Sequence, residues 1–237
     1  MNVIITMSGE GARFKKDGVL VPKPMVQVKG RALLEWALIS LTHFFDCPFL
    51  FITRRSHNTV GFVKEKCAAL GIGQVNIKEI DFLTKGQAAT VMEAEVLLAD
   101  LDDEILIYNI DTYVDPAELK PEHIRGYGWV PAFEAEGDHW SFVKCGDGGR
   151  VTQITEKERI SRYGSIGLYY FRSFRLFKDA YEKHYRNGSS KEEYIAPIYN
   201  VLLKENKDVH TTILNKSRVH VLGTPEEVEI FNKGYKP

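Results

Sequence analysis

The residues with chemistry to offer gather first at the start of the chain. An apolar stretch, Asn2-Val3-Ile4-Ile5-Thr6-Met7, empties into Ser8-Gly9-Glu10-Gly11-Ala12-Arg13-Phe14, and ten residues beyond the arginine a lysine stands between two prolines, Pro22-Lys23-Pro24. Glycines lack Cβ, so the backbone around Gly9 and Gly11 can adopt positive φ and bring its N–H groups close to an anion. Arg13 and Lys23 add two cations to the same loop, which suits a polyphosphate. Two familiar phosphate loops do not account for it. A Walker loop needs Gly-Lys-Ser or Gly-Lys-Thr, and Phe14 stands where a dinucleotide fingerprint needs its third glycine.

Three further groups carry usable chemistry. Asn109-Ile110-Asp111 follows the apolar run Ile105-Leu106-Ile107-Tyr108. A carboxylate at the end of a buried strand can hold a divalent cation, and Mg²⁺ needs only one or two protein carboxylates beside phosphate oxygens and water. Lys85-Gly86-Gln87-Ala88-Ala89 opens a helix, with free N–H groups and an amide able to read a base edge. Glu156-Lys157 ends a β-like run; the glutamate suits sugar hydroxyls and the lysine a phosphate, although such a pair taken alone reads as a solvated surface pair.

These groups need a scaffold that brings them together. Strands are expected at Val3–Met7, Phe49–Thr53, Val75–Ile80 and Ile105–Ile110, with helices at Ala32–Phe44, Thr59–Leu70 and Gln87–Ala99. Strand–helix alternation with short loops argues for a parallel, doubly wound sheet. Ligands in such sheets sit at the carboxyl ends of the strands, which places Ser8–Lys23, Lys85–Ala89 and Asp111 along one edge. The second half has shorter β-like runs at Trp129–Glu134, Trp140–Lys144, Val151–Thr155 and Ile166–Phe171, then helices at Phe174–Tyr185 and Glu192–Asn206. Strands at Val209–Leu214 and Val219–Leu222 precede a last helix, which Thr224-Pro225-Glu226-Glu227 should start as a capping box.

The 237 residues, 44% hydrophobic and 27% charged, are ordinary for a globular chain. A net charge of −1 gives no general case for nucleic-acid binding, so affinity for phosphate must be local. Cys47, Cys67 and Cys145 form neither a metal-type pair nor a disulfide framework, which fits the cytoplasm. The apolar start is too short for a signal peptide, and no run approaches membrane-spanning length. One mixed α/β domain over 1–237 is the simplest reading.

The order of these landmarks resembles the sugar-phosphate nucleotidylyltransferases: a first strand, Gly-x-Gly-x-Arg, then Pro-Lys-Pro, matched here by Gly9, Gly11, Arg13 and Lys23. Gly86-Gln87-Ala88 matches the family's Gly-x-Ala segment, and Asp111 falls on its metal-binding aspartate. Glu156-Lys157 matches its Glu-Lys motif, Gly167 its Gly-Ile-Tyr strand, and Gly223-Thr224-Pro225-Glu226 its C-terminal segment. The resemblance implies a glycosyltransferase-A-like fold: an α/β, Rossmann-like mixed sheet flanked by helices, with a nucleotide-binding half at 1–125 and an acceptor-binding half at 126–237. It also implies transfer of NMP from an NTP to a sugar 1-phosphate, giving an NDP-sugar for polysaccharide biosynthesis and pyrophosphate. Arg13 and Lys23 would be catalytic, and Ser8, Gly9, Gly11, Gln87 and Asn109 would bind the nucleotide. Glu156, Lys157 and Gly167 would face the acceptor, with Mg²⁺ on Asp111.

Two departures stand out. Glu158 occupies the place of the proline that usually follows the Glu-Lys motif. Val221, with His220 beside it, stands where many members carry a second metal-binding aspartate, and the C-terminal register favours a metal-facing Val221. Two alternatives follow: a cytidylyltransferase for a non-sugar phosphate such as phosphocholine, with Trp129, Trp140, Tyr169 and Tyr170 as candidate cation-binding aromatics, or a catalytically idle nucleotide-binding module. The base, the acceptor and the oligomeric state stay open.

Overall fold

The computed structural model describes residues 1–186, 188 and 190–235. Its centre is a seven-stranded sheet in the spatial order Val209–His210, Gly128–Trp129, Leu168–Phe171, Ile105–Tyr108, Asn2–Met7, Phe49–Arg54, Val75–Ile80. The four strands of the first half run parallel, in register Val3 with Phe49 and Leu106, and Phe49 with Val75. Leu168–Phe171 enters antiparallel beside Ile105–Tyr108 and Gly128–Trp129. The parallel sheet expected from strand–helix alternation therefore holds for the first half, and the whole sheet is mixed.

Both faces of this sheet are covered, which is why its central strands are apolar at nearly every position. Val3, Ile5, Phe49, Phe51 and Leu106 pack against the helices Leu33–Ser40 and Val60–Leu70. The alternate residues Ile4, Leu50, Ile52 and Ile107 pack against Gln87–Met92, Phe174–Tyr185 and Tyr199–Lys204. Local signals end these helices where the chain must turn. The Ala32 N–H donates to Glu35 Oε2 at 2.8 Å, Gly71 closes its helix at φ 82°, and Ser173 Oγ caps the next through the Leu176 N–H.

Two expected strands, Trp129–Glu134 and Val209–Leu214, are each divided between two sheets, and the expected Ile166–Phe171 begins at Leu168 after a separate strand at Tyr163–Ser165. Gly128–Trp129 continues as Ala132–Glu134, Tyr163–Ser165 precedes Leu168–Phe171, and Val209–His210 continues as Ile213–Leu214; the outer pieces join Ser141–Cys145 and Val151–Glu156 in a five-stranded sheet. Pro131 lies in the first break. Gly167, at φ 79°, lies in the second, a conformation that L side chains rarely adopt.

The helices are shorter than periodicity implies. Ala32–Phe44 is a helix at Leu33–Ser40 and a 3₁₀ turn at Thr42–Phe44; Gln87–Ala99 is helical only to Met92, with a 3₁₀ turn at Glu95–Leu97. Of Glu192–Asn206, only Tyr199–Lys204 is α-helical, after a 3₁₀ turn at Ala196–Ile198. Residues before Pro197 have another use: Glu193 bonds through its backbone to Lys85 O and to the Ala88 N–H, at 2.9 and 3.0 Å. The three cysteines are free. Among the described residues, no helix is long and apolar enough to cross a membrane.

Candidate functional site

A cleft of about 890 Å³ opens at the carboxyl ends of the parallel strands. Ser8, Gly9, Gly11, Arg13, Lys23, Gln87, Asn109 and Asp111 all line it, although they come from segments up to a hundred residues apart. The strand Asn2–Met7 delivers the glycine loop, Ile105–Tyr108 delivers Asn109 and Asp111, and the start of Gln87–Met92 stands between them.

Each glycine in this cleft has its own task. Gly9 has open space around its missing Cβ, so the backbone is bare toward the cleft, and its φ is not positive. Gly11, at φ 64°, precedes the short helix Ala12–Lys16, and an added Cβ would lie 3.2 Å from Lys23 Cβ. That close approach lets the proline-flanked lysine pack against the loop. Lys23 Nζ then lies 2.7 Å from Asp111 Oδ2 and 5.8 Å from the centroid of the Phe14 ring. Arg13 is exposed and makes no ion pair among the described residues, so its guanidinium is free to meet an anion.

A line of hydroxyls runs beneath the cleft. Thr90 Oγ1 bonds to Ser8 Oγ at 3.1 Å and to Thr84 Oγ1 at 2.6 Å, and Gln87 Nε2 donates to Thr6 Oγ1 at 3.1 Å. These bonds tie the first strand to the helix start and fix where Gln87 can reach. Asn109 is seated by Gly167: its N–H donates to Gly167 O at 3.3 Å, and a Cβ at Gly167 would collide with the Asn109 amide. Asn109 Oδ1 is buried without a donor, an acceptor left for something that enters the cleft.

Glu156, Lys157 and Gly167 do not line the cleft directly. Gly167 acts through Asn109. Lys157, at φ 55°, donates to the Tyr194 hydroxyl, which in turn donates to Glu192; both of those residues line the cleft. The bond to Tyr194 holds the Lys157 ammonium above its ordinary pKa. Glu156 accepts from Ser141 Oγ, and burial pushes its carboxyl above the usual range.

Lys191, Glu192 and Tyr194 read in sequence as a distinctive segment whose position suggests an acceptor-side helix. They form instead a strap that folds onto Lys85-Gly86 and walls the cleft. Gly86 makes this possible, since a Cβ there would overlap the Glu193 backbone. The doubled acids and tyrosine of Lys191-Glu192-Glu193-Tyr194 are distinctive in sequence, yet only the backbone pairing with Lys85 and Ala88 reveals their place.

One expectation at the metal-side carboxylate needs correction. Val221 pairs opposite Thr112 and packs against the main core, so it faces the core rather than a cation beside Asp111. The register aligns Val221 with Thr112, and the side chain of Asp111, one residue earlier, projects to the other face. His220 belongs to an aromatic cluster, stacked on Tyr113 at 5.6 Å with Phe231 and Tyr235 nearby; burial lowers its pKa. It is a packing residue. Thr224 caps Pro225–Gly234 through the Glu227 N–H at 3.2 Å, but Glu227 Oε2 is buried without a donor.

The candidate aromatics do not form a cation cage. Trp129, Tyr169 and Tyr170 are buried in the core, and Trp140 packs on Phe133 and His139.

No family model matches the chain. Among solved structures, the nucleoside-diphosphate-sugar pyrophosphorylase from Vibrio cholerae RC9 is similar over 98% of this chain and 100% of its own, with a TM-score of 0.90 and 34% identity. The inositol-1-phosphate CTP transferase from T. maritima is similar in fold, with a TM-score of 0.74 over 100% of this chain and 98% of its own, at 15% identity. The bifunctional protein GlmU of Methanocaldococcus jannaschii is 23% identical over 176 residues, which is 72% of this chain; the match spans 40% of that protein's length.

Proposed function

The chain belongs to the sugar-phosphate nucleotidylyltransferase family, on the strength of 34% identity across the whole length of a nucleoside-diphosphate-sugar pyrophosphorylase, and from that premise we propose that it transfers NMP from an NTP to a sugar 1-phosphate. The observation that carries this reading is the meeting of Lys23 with Asp111 at 2.7 Å in the same cleft as the Gly9–Arg13 loop. A lysine, a carboxylate and bare backbone gathered at one point suit a reaction between two phosphates.

In the proposed reaction, an oxygen of the acceptor phosphate attacks the α-phosphorus of the NTP in line. The new P–O bond forms as the bond from the α-phosphorus to the bridging oxygen of the β-phosphate breaks, and pyrophosphate departs with that electron pair. The attacking oxygen is already anionic, so no protein nucleophile is required; positioning and charge neutralisation carry the catalysis. Lys23 would sit between the α-phosphate and the acceptor phosphate. Arg13 would meet the β- and γ-phosphates and the leaving pyrophosphate. Ser8, Gly9, Gly11 and Gln87 would hold the nucleotide, and Leu83, half-exposed at the cleft wall, offers apolar surface to a base. Asn109 would donate or accept at a ligand hydroxyl, while Lys157 and Glu156 would reach the acceptor side through Tyr194 and Ser141.

Asp111 is the residue that would hold Mg²⁺. The donor set fits, because hard carboxylate oxygen beside incoming phosphate oxygens is what this ion prefers. Bound there, the ion would supply charge neutralisation at the phosphates. Three free cysteines and an NTP-dependent reaction fit a cytoplasmic setting. The buried state of Trp129, Tyr169 and Tyr170 weighs against a phosphocholine acceptor, and the exposed Arg13 with the paired Lys23 weighs against an idle module.

A pyrophosphate-release assay tests this directly, pairing each of ATP, CTP, GTP and UTP with a panel of sugar 1-phosphates, inositol 1-phosphate and phosphocholine. Release with one NTP and a sugar 1-phosphate is expected. Release only with phosphocholine, or with no pair at all, would overturn the proposal.

A further inference from the structure

Glu227 stands at the third position of the helix Pro225–Gly234, where a glutamate ordinarily reaches back to bond the capping residue's N–H. Here its Oε2 is buried and accepts no hydrogen bond. The residue is only half-buried, yet a carboxylate oxygen shielded from water without a donor is costly, and a cation beside it would offset that cost.

The position of that oxygen says where the cation would be. A Cβ built on Gly223 would lie 3.3 Å from Glu227 Oε2 and 3.5 Å from Asp111 Oδ2. The two carboxylates therefore converge on the bare face of Gly223, which itself lines the cleft. The Leu222 N–H donates to Asp111 O at 2.7 Å and locks the Gly223 turn against Asp111. Lys23 supplies one positive charge to Asp111, and Glu227 has none among the described residues. Two anions facing one cation across a cradle that only glycine leaves open is an arrangement short of positive charge.

We infer that Glu227 is the second protein carboxylate of a divalent-cation site, facing Asp111 across Gly223. The inference rests on the reading of this cleft as a nucleotide site that takes Mg²⁺. Val221 cannot serve, since it packs on the core; the second oxygen ligand comes from the following helix instead. Among the described residues no group of three or more His, Cys, Asp or Glu side chains could cage a metal. Two carboxylates completed by phosphate and water suit Mg²⁺ better than an ion that demands a full protein cage.

The test is a Mn²⁺ titration of the full chain, read by the loss of the free-ion electron paramagnetic resonance signal, with thermal melts of each protein alongside. Four proteins are compared: wild type, Asp111→Asn, Glu227→Gln and Glu226→Gln. Glu226 is an exposed acid on the same helical turn and controls for general charge at the helix start. Glu227→Gln is expected to weaken Mn²⁺ binding about tenfold or more, Asp111→Asn at least as much, and Glu226→Gln not at all. Wild-type affinity in Glu227→Gln with a loss in Asp111→Asn overturns this inference and leaves Mg²⁺ on Asp111. Equal affinity in all four proteins, or no binding by the wild type, overturns the metal reading as well. Equal losses from Glu226→Gln and Glu227→Gln would mark a charge effect of the helix and also overturn the assignment. A lower melting temperature for Glu227→Gln with unchanged Mn²⁺ affinity would make Glu227 a capping residue only.

Discussion

Gly86→Ala should dismantle one wall of the cleft while leaving its chemical groups in the sequence. The Cβ introduced by this substitution would meet the Glu193 backbone at its nitrogen, carbonyl carbon and oxygen, and the nitrogen lies only 2.7 Å from that point. These are main-chain atoms, so no side-chain rotation relieves the overlap. The strap must move, which breaks two backbone hydrogen bonds, Glu193 N–H to Lys85 O and Ala88 N–H to Glu193 O. At about 1 kcal/mol net for each bond, and roughly another 1 kcal/mol for polar groups left without full solvation, the cost is about 3 kcal/mol. For a chain of this size that corresponds to a fall in melting temperature of roughly 6–12 °C. Because Tyr194 and Glu192 travel with the strap, hydrogen exchange at the amides of 191–195 should accelerate and the acceptor KM should rise. Gly9→Ala is the matched control: its Cβ meets nothing, so the protein should melt like wild type while NTP binding weakens. A Gly86→Ala protein that melts within a degree or so of wild type, with unchanged exchange at 191–195, would refute the account of the strap.

The other expectations follow from single side chains. Lys23→Ala should fold normally but lose about a hundredfold in kcat, close to 2.7 kcal/mol of transition-state stabilisation; steady-state kinetics near wild type with an accepted substrate pair would remove Lys23 from the mechanism. Val221→Asp should destabilise the fold by roughly 1–3 kcal/mol, since the new carboxylate would face apolar neighbours, and Mg²⁺ titration should find no gain in affinity; tighter binding would show that the side chain faces the cation after all. Burial raises the Glu156 carboxyl, so the folded chain binds its proton more readily than the unfolded chain does. The associated stability is present below the ordinary carboxylate value and is lost as pH rises through the raised value. Melts of wild type and Glu156→Gln across that window should diverge in favour of the variant with rising pH, and a constant difference would place Glu156 in a solvated setting.

Much of the site is readable in sequence because it lies in short, contiguous signals. Gly9, Gly11, Arg13 and Lys23 fall within one loop whose residue types already describe an anion site, and the run Ile105–Tyr108 declares a buried strand that must present Asp111 at its end. The four parallel strands are legible for the same reason: a strand covered on both faces is apolar throughout, and that pattern survives in sequence. Where the chain crosses from one sheet to another, hydrophobicity continues without interruption, so Trp129–Glu134 and Val209–Leu214 each read as a single strand, and the short Tyr163–Ser165 ahead of Gly167 escapes notice. The segment Glu192–Asn206 looks helical by composition, but its first residues spend their backbone groups on Lys85 and Ala88, more than a hundred positions away.

The metal side marks the boundary most sharply. Sequence alone established that Asp111 is present and that the position before Leu222-Gly223 holds a valine. It could not establish which way Val221 points, because Val219-His220-Val221-Leu222 alternates apolar residues on both faces. The pairing with Thr112–Val114 decided that question by placing Val221 toward the core and His220 in an aromatic cluster. Only the packed structure brings Glu227 beside Asp111, since that proximity depends on the turn at Gly223 and on the direction in which the last helix leaves it. Types and spacing within a loop determine local chemistry, whereas the meeting of groups from different elements is set by tertiary packing.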